Sequence, residues 1–120
     1  MNFNSLYFKG KLYSQNGHNL IARIYRFIIK VYYHCDIPFQ TNIDPTVHFC
    51  HNAFGVVINP NARIGKNVII QHRVTIGEVD DSHKAPIILD GAYIGAGAII
   101  LGGGNNWKKC ANWRRSSCYK

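Results

Sequence analysis

The chain of 120 residues has no stretch of 18 or more consecutive apolar residues, so nothing in it reads as a transmembrane helix. Its start, Met1-Asn2-Phe3-Asn4-Ser5, lacks the basic-then-apolar order of a secretory signal. The four cysteines, Cys35, Cys50, Cys110 and Cys118, lack the paired or metal-type spacing of a disulfide framework or a metal site, and we read them as reduced thiols of a cytoplasmic protein. Acidic residues are scarce, 6 against 14 Lys and Arg, for a net charge of +8. Such an excess, spread over a surface, points to nucleic acid or an acidic membrane. Here it is concentrated instead: Lys108, Lys109, Arg114, Arg115 and Lys120 lie in the last 17 residues, and the remainder sets 9 basic residues against 6 acidic ones, a net +3. No nucleic-acid partner is expected.

What the chain does have is a period of six. Isoleucine recurs at Ile58, Ile64, Ile70 and Ile76, with Ala62, Val68 and Val74 four positions after the first three. The register extends back through Ile37, Ile43 and Phe49, with Thr41 and Val47, and forward through Ile88, Ile94 and Ile100, with Ala92 and Ala98. Ten positions keep it, with breaks only at residues 50–57 and 77–87. Neither a helix nor simple strand alternation has this period. A coil of short strands does, with one large apolar side chain turned inward per flat side, and hexapeptide repeats mark the parallel β-helix. A solenoid this short has open ends that need covering.

Residues 1–35 form an N-terminal part: a loose, polar and aromatic lead-in over 1–18, then an α-helix from Asn19 to about His34. Its apolar residues Leu20, Ile21, Ile24, Phe27, Ile28, Val31 and Tyr32 follow helical spacing, while Arg23, Arg26 and Lys30 fall largely on the other face. Such a helix could lie on a membrane surface; we read it as a lid packed on the first coil. Residues 36–103 form the coil, with 77–87 thrown out as a loop at one corner. Residues 104–120 form an aberrant tail with both tryptophans and no isoleucine. Read one base later, its tryptophan codons at 107 and 113 become glycine, the asparagine codons before them isoleucine or threonine, and Cys110 valine or alanine. Those are the residues the register requires after Ile94 and Ile100, so we read the tail as a frameshifted version of two further hexads.

The block Cys50-His51-Asn52-Ala53-Phe54-Gly55-Val56-Val57-Ile58-Asn59-Pro60, followed by Gln71-His72-Arg73-Val74-Thr75-Ile76-Gly77, resembles the serine acetyltransferase family, especially its short, capsule- and exopolysaccharide-associated members. The resemblance covers about residues 36–103. It implies an all-β fold, a left-handed parallel β-helix with an N-terminal α-helix, assembled as a homotrimer with active sites between subunits. It also implies acetyl-CoA as co-substrate, with no permanently bound cofactor and no metal. His51 matches the family's catalytic histidine and Asp36, 15 residues earlier, its aspartate partner. A hydroxyl is a poor nucleophile until a base takes its proton during attack on the thioester, and an imidazole steadied by a carboxylate does this near neutral pH. For the cofactor the resemblance points to Gly77 and Gly95-Ala96-Gly97, where small residues let a pantetheine arm lie against the coil, and Lys84 could meet CoA phosphates. Lys84-Ala85-Pro86 stands where the family carries Arg-His-Pro, and Cys50 where it carries an acid, so the acceptor stays open between serine and a sugar. Two other readings remain. Histidines and cysteines at 34, 35, 48, 50 and 51 could ligate zinc, and we rank this below acyl transfer. The altered tail could also leave an inactive coil with only a structural or subunit-pairing role.

Overall fold

The computed structural model describes residues 2–78 and 85–102, together with the backbone of Ser117–Cys118. Two helices, α1 (Phe3–Gln15) and α2 (Asn19–Tyr33), precede ten short strands. These are β1 (Asn42–Ile43), β2 (His48–Phe49), β3 (Val57–Ile58), β4 (Arg63–Ile64), β5 (Ile69–Ile70), β6 (Thr75–Gly77), β7 (Ile87–Ile88), β8 (Tyr93–Ile94), β9 (Ile99–Leu101) and β10 (Ser117–Cys118). Strands β1 to β9 go to three sheets in rotation, β10 joins the third, and the orders are β1-β4-β7, β2-β5-β8 and β3-β6-β9-β10, with every pairing parallel.

The hexad register is the reason. Pairing sets Ile43, Ile64 and Ile88 in one column, Phe49, Ile70 and Ile94 in a second, and Ile58, Ile76 and Ile100 in a third. All nine side chains are buried, while their strand neighbours point outward, as the two-residue alternation of a strand requires. Neighbouring strands lie about 4.8 Å apart, so each β-branched side chain packs on its counterpart one circuit away. Thr41, Val47, Ala62, Val68, Val74, Ala92 and Ala98 are buried too, which is why that position stays small or branched. Each filled column position removes a large apolar side chain from water, worth roughly 1.5–3 kcal/mol.

The corners are turns with their own chemistry. Asp44 Oδ1 accepts from the Thr46 N–H and hydroxyl, and Asn59 Oδ1 from the Asn61 N–H, closing turns around Pro45 and Pro60.

The N-terminal part corrects two expectations. Residues 3–15 are not a loose lead-in but a helix, capped by Asn2, whose side chain accepts from the Asn4 N–H. It is α1, rather than α2, that covers the first coil. Phe3 stands edge-on to Phe49 at 5.1 Å between ring centroids, the Tyr7 hydroxyl donates to the Pro38 carbonyl at 2.8 Å, and Asn4 Nδ2 donates to the Val47 carbonyl at 2.7 Å. Helix α2 runs where the sequence places it, but it buries Ala22, Ile29 and Tyr33 and leaves its long apolar face in solvent. At the other end, the backbone of Ser117–Cys118 pairs with Ile99–Ile100 and extends the third sheet by one strand.

Candidate active site

Between β2 and β3 the chain spends three extra residues on a tight turn. His51, Asn52 and Ala53 take φ values of 52°, 55° and 58°, left-handed backbone at three successive residues with no glycine among them. Each costs roughly 1–2 kcal/mol against the right-handed form. Runs of this kind persist only where surrounding contacts impose them, and they gather at functional sites. The contacts here are specific. The Phe3 N–H at the start of α1 donates to Asn52 Oδ1 at 3.2 Å, the Phe54 N–H to the His51 carbonyl at 3.2 Å, and the Gly55 N–H to the His34 carbonyl at 3.1 Å. Ala53 is fully buried. Gly55 suits its place: its φ is 70°, and a Cβ there would lie 3.0 Å from Arg73 Cγ.

The turn presents the His51 side chain to solvent, edge-on to the ring of His72 at a centroid distance of 4.9 Å. Register explains the meeting. Phe49 pairs with Ile70 and Ile70 with Ile94, so two residues further on His51, His72 and Ala96 lie along one edge. The His72 carbonyl accepts from the Gly97 N–H at 3.1 Å. A cleft of about 300 Å³ opens there, lined by Phe54, His72, Arg73, Ala96 and Gly97. His72 Nδ1 is buried and, among the described residues, has no hydrogen-bond partner.

The expected site residues divide as follows. His51, Ala96 and Gly97 are brought together around His72. Gly95 is buried beside them, in the corner itself. Gly77 ends β6 and pairs with Leu101, on a different sheet from the cleft's edge. Lys84 lies outside the described residues. Asp36 pairs its backbone with Val57, just past the His51 turn. Its carboxylate, however, forms an ion pair with Arg26 of α2 at 2.7 Å and, among the described residues, makes no hydrogen bond to His51. His72 received no role from the sequence. The 21-residue offset from His51 would have found it once the longer turn at 50–57 was counted into the register.

A larger cleft, about 590 Å³, lies over the outer face of β1-β4-β7 between Asp44, Lys66 and Asp90. It contains no imidazole or thiol. No three His, Cys, Asp or Glu side chains among the described residues stand together as a metal cage.

No protein-family model matches the chain. Among curated proteins, it is 54% identical over 55 residues to the probable serine acetyltransferase 1 of Oryza sativa subsp. japonica, a match covering 42% of this chain and 18% of the relative. It is 36% identical over 90 residues to the serine acetyltransferase of Mycobacterium tuberculosis, covering 73% of this chain and 39% of the relative. Among solved structures, the Neisseria gonorrhoeae serine acetyltransferase in complex with serine superposes with a TM-score of 0.71 at 28% identity, covering 82% of this chain and 40% of that one. The likeness is to serine acetyltransferases. A further serine acetyltransferase, solved as a complex with CoA, matches at a TM-score of 0.58 and 27% identity over 82% of this chain and 40% of that one. The serine acetyltransferase-like chain thus spans well under half the length of the relatives it matches.

Proposed function

We propose that this chain is the catalytic coil of an acetyl-CoA-dependent O-acetyltransferase of the serine acetyltransferase type, built as a left-handed parallel β-helix and working in the cytoplasm as a homotrimer. One observation carries the assignment: a strained turn, fixed by α1 and by the Arg73 corner, holds His51 in line with His72 and a cleft floored by Ala96 and Gly97. Outward-facing Val57, Ile69, Tyr93 and Ile99 support assembly, since each is at least 36% exposed and a neighbouring copy would cover them.

In this reading the pantetheine arm of acetyl-CoA lies along Ala96 and Gly97, where the absence of long side chains lets it reach the backbone, with Gly77 and Gly95 keeping the adjoining coil thin. Lys84 meets the CoA phosphates. His51 takes the proton of the acceptor hydroxyl as its oxygen attacks the thioester carbonyl carbon. The carbon–sulfur bond then breaks, the acetyl group stays on the acceptor oxygen, and the sulfur leaves with a proton returned by the imidazolium. His72 packs edge-on to His51 and restricts its ring. Asp36, tied here to Arg26 through Oδ1, is the carboxylate that this reading assigns to steady the imidazolium. The acceptor is serine or a sugar hydroxyl.

A thiol-release assay with acetyl-CoA, run with serine and with hexose acceptors, tests the assignment. We expect acceptor-dependent release, restored or strengthened when residues 104–120 are replaced by the product of the shifted frame. If the frame-restored protein consumes no acetyl-CoA with any acceptor, the chain is a structural coil instead.

A further inference from the structure

We propose that the exposed face of α2 docks this protein on the surface of an anionic lipid bilayer. Leu20, Ile24, Phe27 and Val31 follow one another at helical spacing and are 72%, 52%, 68% and 55% exposed, with Ile21, Ile28 and Tyr32 exposed beside them. Half of the large apolar side chains exposed among the described residues therefore come from one helix of 15 residues. The opposite face, Ala22, Ile29 and Tyr33, is the one packed against the rest of the molecule. The apolar face is thus surplus to the fold: covering the coil falls to α1, and α2 is tied to the start of the coil from its middle turn by the Arg26–Asp36 pair. A contiguous apolar patch of this kind on a protein surface marks an interaction site.

Charge selects the occupant. Exposed Arg23 and Lys30 border the apolar face on one side. Residues 1–35 carry Lys9, Lys11, Arg23, Arg26 and Lys30 and not one Asp or Glu. If the face met the same face of a second copy in antiparallel fashion, its bordering cations would be set against each other with no carboxylate from either helix. An anionic bilayer offers an apolar layer for the stripe and negative headgroups for its cationic border at the same contact, which is the recognition pattern of an interfacial amphipathic helix. Spanning is excluded by length: 15 residues rise about 22 Å against a hydrocarbon core of about 30 Å. The helix lies on the membrane, and the coil, joined through His34, stands off from it.

Co-sedimentation of the purified full chain with vesicles tests this. Vesicles of phosphatidylcholine with 30% phosphatidylglycerol (about one lipid in three, enough for a marked negative surface potential) should carry down most of the protein, and pure phosphatidylcholine about tenfold less. Phe27→Glu should reduce binding to the anionic vesicles at least tenfold, and Arg23→Glu with Lys30→Glu should remove most of its salt sensitivity. Phe27, Arg23 and Lys30 are exposed, so circular dichroism should show all variants folded. Equal sedimentation with neutral and anionic vesicles, or none with either, overturns the proposal. So does a fall in the molecular mass in solution of Phe27→Glu without loss of lipid binding, because the face then belongs to a second copy.

Discussion

Three left-handed residues in a row give His51 its place, and the same local chemistry distinguishes it from the other histidines. The strain is held by named partners, chief among them the Asn52 side chain receiving the Phe3 N–H. Asn52→Ala should therefore lower thermal stability by about 1 kcal/mol, one lost hydrogen bond, and lower kcat by more than it changes KM for acetyl-CoA, since the imidazole loses its aim rather than its cleft. Replacing His72 with Ala should reduce kcat about tenfold, ~1.4 kcal/mol, with His72→Asn recovering little, because the contact with His51 is ring on ring. The cysteines behave differently. Burial, reinforced by the Asp36 charge, pushes the Cys35 thiol up to about 12. The thiolate is the reactive form, so maleimide labelling followed by peptide mapping should find Cys35 nearly unmodified from pH 7 to pH 9 while half-buried Cys50 reacts. The raised value also fixes a sign: the folded state favours the protonated thiol. Its contribution is complete below the unfolded value near 8.5 and is lost as pH climbs toward 12.

At the level of elements, α1 joins the coil at close quarters. A Cβ on Gly10 would lie 2.6 Å from Phe39 Cζ and 2.9 Å from Tyr25 Cβ. Glycine inside a helix ordinarily costs about 1 kcal/mol against alanine, yet Gly10→Ala should lower the melting temperature by a few degrees, because overpacking costs about 1–3 kcal/mol. A rise on calorimetry would mean α1 is not seated on the coil this way. The strands were legible in the sequence because the inward residue of each is fixed by packing on its counterpart one circuit away, so Ile43, Ile64 and Ile88 had to fall in register. The helix α1 was not, because only Phe3, Tyr7 and Gly10 are buried and the rest of it is polar or mixed. Helix α2 was legible as a helix but not in its orientation. Periodicity reports that Leu20, Ile24, Phe27 and Val31 share a face; it carries no information about what that face meets. His72 was hidden for a related reason, since its neighbour is chosen by the length of the turn at His51.

For the whole molecule, the central question is whether the coil is complete enough to work. The strand at Ser117–Cys118 sits 18 residues after its partner Ile99–Ile100, the span of three hexads. Residues 103–116 lie outside the described part, and the frameshift reading of the tail rests on back-translation of the amino-acid sequence against the hexad register. If outward-facing Val57, Ile69, Tyr93 and Ile99 are subunit contacts, sedimentation velocity should give a trimer, and Ile69→Lys with Ile99→Lys should give a folded monomer with little activity. The most direct test of the whole account is the steady-state kinetics of His51→Asn in the frame-restored protein with acetyl-CoA and its best acceptor. Loss of the general base should lower kcat/KM by about 10²–10⁴, with the KM for acetyl-CoA nearly unchanged because the Ala96–Gly97 cleft is intact. Turnover equal to that of the unsubstituted protein would contradict it.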